Sequence, residues 1–197
     1  VGMAMRPIIL KGEKVALGVI IKEDVQKIWE WNNDREVAKS LADPSDVSTL
    51  EEWMRWYENL TAKKLTKRAF AVLNDDGELV GTVILSGIDL RNGTAEIGYF
   101  IGKEHWGKGY ASEAVKLALR FCFQYMNLRK VFARTYENNA ASIKVLEKNG
   151  FKLTGKLRKH AWTPEGYVDV LFYDIMREEW QALAEAMGNT WTSCFTS

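Results

Sequence analysis

The segment Gly98-Tyr-Phe-Ile-Gly-Lys-Glu-His-Trp-Gly-Lys-Gly-Tyr-Ala-Ser112 gathers residues suited to holding an anion. A strand-like run enters a turn containing Gly107 and Gly109, and a helical pattern follows. The first amides of a helix have no internal partner and sit at the positive end of its dipole. Glycine removes Cβ atoms that would block close approach, so the turn can wrap a phosphate. Gly102-x-x-x-x-Gly107-Lys108 follows a P-loop until its last position. There Gly109 replaces the Ser or Thr that ligates magnesium, which argues against nucleotide hydrolysis. Gly107-x-Gly109-x-x-Ser112 is one residue from a dinucleotide fingerprint. No acidic residue follows a second strand about 20 positions on, and three antiparallel strands precede the turn. A glycine-rich turn with a purely structural role is the plain alternative.

The surrounding pattern predicts what must hold this turn in place. Residues 7–21 read as strands around Lys11-Gly12, and Val25, Ile28, Trp29 and Trp31 predict a helix over 23–33. Ser48-Thr49-Leu50-Glu51 has the form of a capping box, in which Ser48 and Glu51 satisfy free amides at a helix start. Trp53, Trp56, Tyr57 and Leu60 supply that helix's apolar face. Strands over 68–74, 79–90 and 94–101 are joined by the hairpin signals Asp75-Asp76-Gly77 and Asn92-Gly93. Ala111, Ala114, Val115, Ala118, Cys122 and Tyr125 then recur at helical spacing. With a strand at Val131–Thr135, this helix completes a parallel crossover. A helix over 140–148 ends at Asn149-Gly150, and strands near 151–161 and 167–176 close the chain around Thr-Pro-Glu-Gly. The expected fold class is α/β: a mixed, mostly antiparallel central sheet with one parallel βαβ crossover, flanked by helices. Residues 1–187 are read as one domain. Its last helix, 178–187, carries Trp180, Leu183 and Met187, to be buried on the domain or in a homodimer contact. Residues 188–197 read as a tail.

Trp106-Gly107-Lys108-Gly109-Tyr110-Ala111 also fits the acyl-coenzyme A spacing Gln/Arg-x-x-Gly-x-Gly/Ala, with Trp in the first position. Three further stretches match in order: Ile28-Trp-Glu-Trp-Asn-Asn-Asp34, Ala95-Glu-Ile-Gly-Tyr99 and Asn139-Ala-Ala-Ser-Ile-Lys-Val-Leu-Glu-Lys-Asn-Gly-Phe151. From about residue 7 to 177 the sequence resembles the GNAT superfamily of N-acetyltransferases, and within it the RimJ/RimL type. The resemblance implies acetyl-coenzyme A as cosubstrate and no metal. It puts the pyrophosphate on the amides of Trp106, Gly107, Lys108, Gly109, Tyr110, Ala111 and Ser112. It lays the pantetheine along Tyr99, Phe100 and Ile101, where splayed parallel strands leave backbone groups free. It places Asn139 and Ser142 near the thioester.

The implied reaction is attack of an amine on the thioester. An α-amine has a pKa of about 7.7–8.0 and a lysine amine about 10.4, so an α-amine needs only a modest base. Glu96, on the same strand face as Gly98 and Phe100, is the candidate base, acting through water; an ion pair is its alternative role. Asp169 and His160 on the closing strands are further ionisable candidates. The tyrosine that many family members use as acid falls at Leu146 here, which has no proton to give. Ser142 matches the serine given that role in the RimJ/RimL type. A thiol pKa near 8.5 makes thiolate a tolerable leaving group in any case.

The acceptor pocket is expected between the first two helices and the closing hairpin, with Trp31, Asn32, Trp56 and Trp162 as candidate substrate contacts. Core packing is the alternative for each Trp. Scattered carboxylates favour a protein or peptide N-terminus, as in a ribosomal-protein acceptor, over a polyamine. An aminoglycoside or amino-acid amine, or a non-catalytic acyl-coenzyme A sensor, are the other readings. Lys plus Arg is 27 against 26 Asp plus Glu, a net charge of +1, so no whole-molecule field draws nucleic acid or anionic membrane. No apolar run approaches the roughly 18 residues of a membrane span. The start VGMAMRPIIL lacks a secretory pattern. Cys122 and Cys194 have no zinc-ligand spacing, so a reduced cytoplasmic protein is expected. Lys63, Lys64, Lys67 and Arg68 form a basic run suited to a 3′-phosphate, a ribosomal target or plain solvent.

Overall fold

Eight strands form one sheet in the order β1-β2-β3-β4-β5-β6-β8-β7 in a computed structural model that describes residues 5–41, 43, 45–61 and 66–188. The strands are β1 (Ile8–Lys11), β2 (Ala16–Val19), β3 (Arg68–Leu73), β4 (Leu79–Asp89), β5 (Thr94–Ile101), β6 (Lys130–Tyr136), β7 (Lys152–Thr163) and β8 (Gly166–Met176). The helices are α1 (Val25–Asn33), α2 (Arg35–Ala38), α3 (Leu50–Thr61), α4 (Tyr110–Arg120), α5 (Ala140–Lys148) and α6 (Arg177–Ala186). Every neighbouring pair is antiparallel except β5 and β6, so the expected mixed sheet with one parallel crossover is what the chain forms.

Strand alternation sorts apolar side chains to two sheet faces. Phe70, Val72, Val83, Leu85, Ala95 and Ile97 meet α4 and α5 in the larger core. Ala71, Leu73 and Phe100 meet Ile28, Trp31 and Val37, with Trp53, Trp56 and Tyr57 of α3 packed around them. A bulge at Val80, where Val72 pairs with Gly81 and Leu73 with Leu79, returns β4 to register.

The cap of α3 lies one residue later than the sequence pattern predicts. The Thr49 amide donates to Glu52, and the Glu52 amide donates to Thr49 Oγ1. Ser48 is used elsewhere, its Oγ accepting the Trp53 indole N–H at 2.8 Å. Helix α2 was not expected. Asp34 starts it by accepting the amides of Glu36 and Val37. The helix expected from Gly107 begins at Tyr110 and ends in a π-helical stretch, Phe121–Tyr125, that buries Cys122.

Helix α6 packs Trp180 against Phe123 of its own domain, at 5.2 Å between rings. That resolves the open choice for Trp180 in favour of the domain, while Leu183 and Met187 stay exposed. No helix among the described residues is long and apolar enough to cross a membrane. Lys63, Lys64, Cys194 and nearly all of the proposed tail lie outside the described residues.

Candidate active site

The parallel pairing of β5 with β6 runs only from Thr94–Lys130 to Glu96–Phe132. Beyond it β5 pairs with β4 alone, out to Ile101, and β6 pairs with β8. The strands therefore fork, and the β5 backbone from Ile97 onward loses a sheet partner on that edge. A cavity of about 760 Å³ runs along this edge. The end of β5, the glycine-rich turn and the first turns of α4 and α5 form its main wall.

The turn has the geometry an anion needs. Gly107 and Gly109 have φ of +77° and +79°, a left-handed conformation that side chains strain. The first of the helical amide bonds runs from Glu113 to Gly109, so the N–H groups just before it carry no helical partner. Trp106 folds back and donates its indole N–H to the Ile101 carbonyl at 2.7 Å, tying turn to strand. Gly102 is needed for close packing, because a Cβ there would meet the Trp31 ring at 2.2 Å. From the far end of the chain, Lys14 brings its Nζ to 3.4 Å from the Lys108 carbonyl. Glu113 holds that lysine's loop by accepting the amides of Glu13, Lys14 and Val15. Across the cavity, Asn139 caps α5 by accepting the Ser142 amide at 3.1 Å. Asn149 closes the wall by donating to the carbonyl and hydroxyl of Ser112.

The sequence profile of the acetyltransferase (GNAT) domain matches residues 15–152. The chain belongs to the GNAT acetyltransferase family. This GNAT enzyme is 31% identical over 170 residues to the Bacillus licheniformis N-acetyltransferase p20, covering 85% of this chain and 96% of that protein. It is 26% identical over 165 residues to the ribosomal-protein-serine acetyltransferase of Escherichia coli K12, covering 82% and 92%. Its structure is similar to that of spermidine N-acetyltransferase from Vibrio cholerae, solved with CoA and spermine. The TM-score there is 0.79 at 25% identity, covering 85% of this chain and 98% of that one. The enzyme is thus an acetyl-CoA-dependent N-acetyltransferase.

The residues present fit that cosubstrate. Tyr99, Phe100, Ile101, Trp106, Gly107 and Gly109 line the cavity, as do Tyr110, Ala111, Ser112, Asn139 and Ser142. Phe100 can offer only main chain, since its ring is buried edge-on to Trp31. Lys108 of the GNAT turn is not in the lining; its ammonium stands 5.9 Å over the Tyr110 ring. Lys144 and Lys148, one helical turn apart on α5, add cations to the wall. Their shared face was legible as i, i+4 spacing but had no partner to give it meaning.

The ionisable candidates separate. Glu96 lies outside the lining and holds Arg134 through both oxygens, at 2.8 and 3.2 Å. Asp169 accepts the Lys159 amide at 2.7 Å in the bulge of β7, and this bond, with Lys156 and Lys159 nearby, holds its carboxyl below the usual range. That structural use accounts for Asp169, and His160 is exposed on β7 away from the cavity. Leu146 is fully buried in the larger core. Ser142 meets the Tyr99 hydroxyl at 3.0 Å, and burial pushes that phenol up to about 12.

The four substrate contacts expected from the sequence, Trp31, Asn32, Trp56 and Trp162, are not among the residues that line the cavity. Trp31 is 3% exposed and gives its indole N–H to Glu104. Asn32 donates to the Ile28 carbonyl within α1. Trp56 lines a separate notch with Trp53, Asp46 and Glu52. Trp162 is 62% exposed beside Tyr167 at the hairpin end. The rest of the lining comes from Glu36, Lys39 and Ser40 at α2 and just after it, and from Thr163, Pro164 and Glu165 where β7 turns into β8.

Proposed function

We propose that this GNAT enzyme acetylates the α-amine of a protein or peptide N-terminus. The observation that supports this is the composition of the acceptor-side mouth. Among the described lining residues its carboxylates are Glu36 and Glu165, and Lys39 also lines it. Two carboxylates can orient one ammonium, and the lysine disfavours a ligand carrying several positive charges. The ribosomal-protein-serine acetyltransferase of Escherichia coli acts on a protein acceptor, as its name states, and is consistent with this reading.

In the reaction proposed, the acceptor nitrogen forms a bond to the thioester carbon, the C–S bond breaks, and the sulfur leaves as thiolate. Ser142 donates a hydrogen bond to that sulfur. Glu96 accepts the amine proton through water once it exchanges Arg134 for solvent. Holding the amine and thioester in line supplies more of the rate than proton transfer does.

The polyamine reading has one observation in its favour, the likeness to the spermidine enzyme. Release of free coenzyme A thiol, measured with a panel of acceptors, separates the readings. Peptides with a free N-terminus should exceed their N-blocked forms and spermidine in kcat/KM by at least tenfold. A higher kcat/KM for spermidine overturns the proposal. Absence of thiol release with every amine would favour a coenzyme sensor.

A further inference from the structure

The Tyr99 side chain has a bonding pattern that a groove wall does not require. Its hydroxyl oxygen lies 3.0 Å from Ser142 Oγ and 3.3 Å from the Ser142 carbonyl oxygen. Ser142 is fixed on its other side by the Asn139 cap. Both residues line the cavity. One phenolic proton thus faces two acceptors on the same residue. In one arrangement Tyr99 donates to the Ser142 carbonyl, and the serine hydroxyl donates back to the Tyr99 oxygen. In the other, Tyr99 donates to Ser142 Oγ, and the serine proton is free to turn into the cavity. Only hydroxyl rotation separates the two. Tyr99 remains a neutral donor throughout the working range, since burial pushes it up to about 12.

We propose that Tyr99 is a positioning residue for Ser142: its hydroxyl donates to Ser142 Oγ and thereby aims the serine proton at the departing sulfur. The inference rests on the reading that Ser142 stands beside the thioester. In the step it serves, the amine lone pair forms the N–C bond and the C–S electron pair leaves with sulfur. Ser142 O–H donates a hydrogen bond to the thiolate, and the amine proton departs through water to Glu96. Tyr99 keeps its own proton. A donor already aimed at developing charge stabilises the transition state without reorganising.

The test is steady-state kinetics of Tyr99→Phe, Ser142→Ala and the double variant, with coenzyme A affinity measured by calorimetry. Ser142→Ala is expected to lower kcat by roughly 100-fold and Tyr99→Phe by roughly tenfold. Both should hold coenzyme A affinity within about twofold, and the double variant should be no slower than Ser142→Ala, because Tyr99 then has nothing to aim. Wild-type kcat in Tyr99→Phe beside a slow Ser142→Ala overturns the role of Tyr99 and leaves that of Ser142. Wild-type kcat in Ser142→Ala removes the serine donor and the inference with it. A double variant slower than Ser142→Ala by the full Tyr99→Phe factor makes Tyr99 a packing residue and also overturns it.

Discussion

The proposed donor groove and the proposed acceptor mouth of this enzyme are built from different materials. The groove uses main-chain amides, a strand edge freed by a fork, and a capped helix start, carried on two continuous segments. The mouth uses ionisable side chains from α2 and the β7–β8 turn, segments far apart in sequence that meet only in the fold. A backbone site is set by local conformation and leaves glycines at fixed spacing. A side-chain mouth is set by tertiary packing, so it can change its acceptor while the groove stays the same.

The comparison breaks first at Gly107. A Cβ there meets no protein atom, so Gly107→Val costs the fold about 1–2 kcal/mol of left-handed strain. It also puts a branched side chain on the cavity wall. Coenzyme A affinity should fall by roughly 100-fold, as when a preorganised donor site is lost. Calorimetry beside a melting curve checks this. Unchanged affinity would mean that the turn does not hold the phosphates. On the other side, Glu36→Gln combined with Glu165→Gln should raise the acceptor KM by roughly tenfold, the weight of a charge-assisted hydrogen bond, while coenzyme A affinity stays fixed. A loss shared equally between the two substrates would erase the division drawn above. Lys14→Gln should weaken coenzyme A by about threefold at low salt, and the difference should shrink as ionic strength rises. A salt-independent effect would make Lys14 a support of the loop rather than a charge.

Much of the groove was legible because each part has a local cause. The two glycines and the crossover appear as spacing in the sequence, and Asn139 entered through the family resemblance, its capping bond showing only in the fold. The mouth was not legible. Helix α2 depends on Asp34 as a cap, yet it is only one turn long and leaves no periodic pattern. The tryptophans could not be assigned by spacing, because an aromatic stripe reads the same whether it lines a pocket or fills a core. Trp31 is decided by Gly102, which lets the ring close over the strand end, and Trp106 by a carbonyl five residues back. Lys14 and Lys108 are far apart in sequence and meet only in the fold. Near-neutral overall charge likewise hides the local cations of the groove.

At pH 8 the smallest expected effect lies at the ion pair of Glu96 on β5 with Arg134 on β6. The side chains of this pair are 23% and 55% exposed, so the pair contributes about 0–1 kcal/mol and Glu96 can trade Arg134 for water at little cost. An α-amine with a pKa of about 7.7–8.0 is half neutral near pH 8, where a base adds little. Below that pH the neutral fraction falls tenfold per unit, and a base that takes the proton inside the complex offsets the fall. Glu96→Gln should therefore lower kcat about twofold at pH 8 and about tenfold at pH 6, a steeper profile than that of the unaltered enzyme. Arg134→Gln keeps the carboxylate and should keep the original profile. If both variants lose the same modest factor at every pH, the pair is a clasp on the fork, and the amine proton leaves directly to solvent.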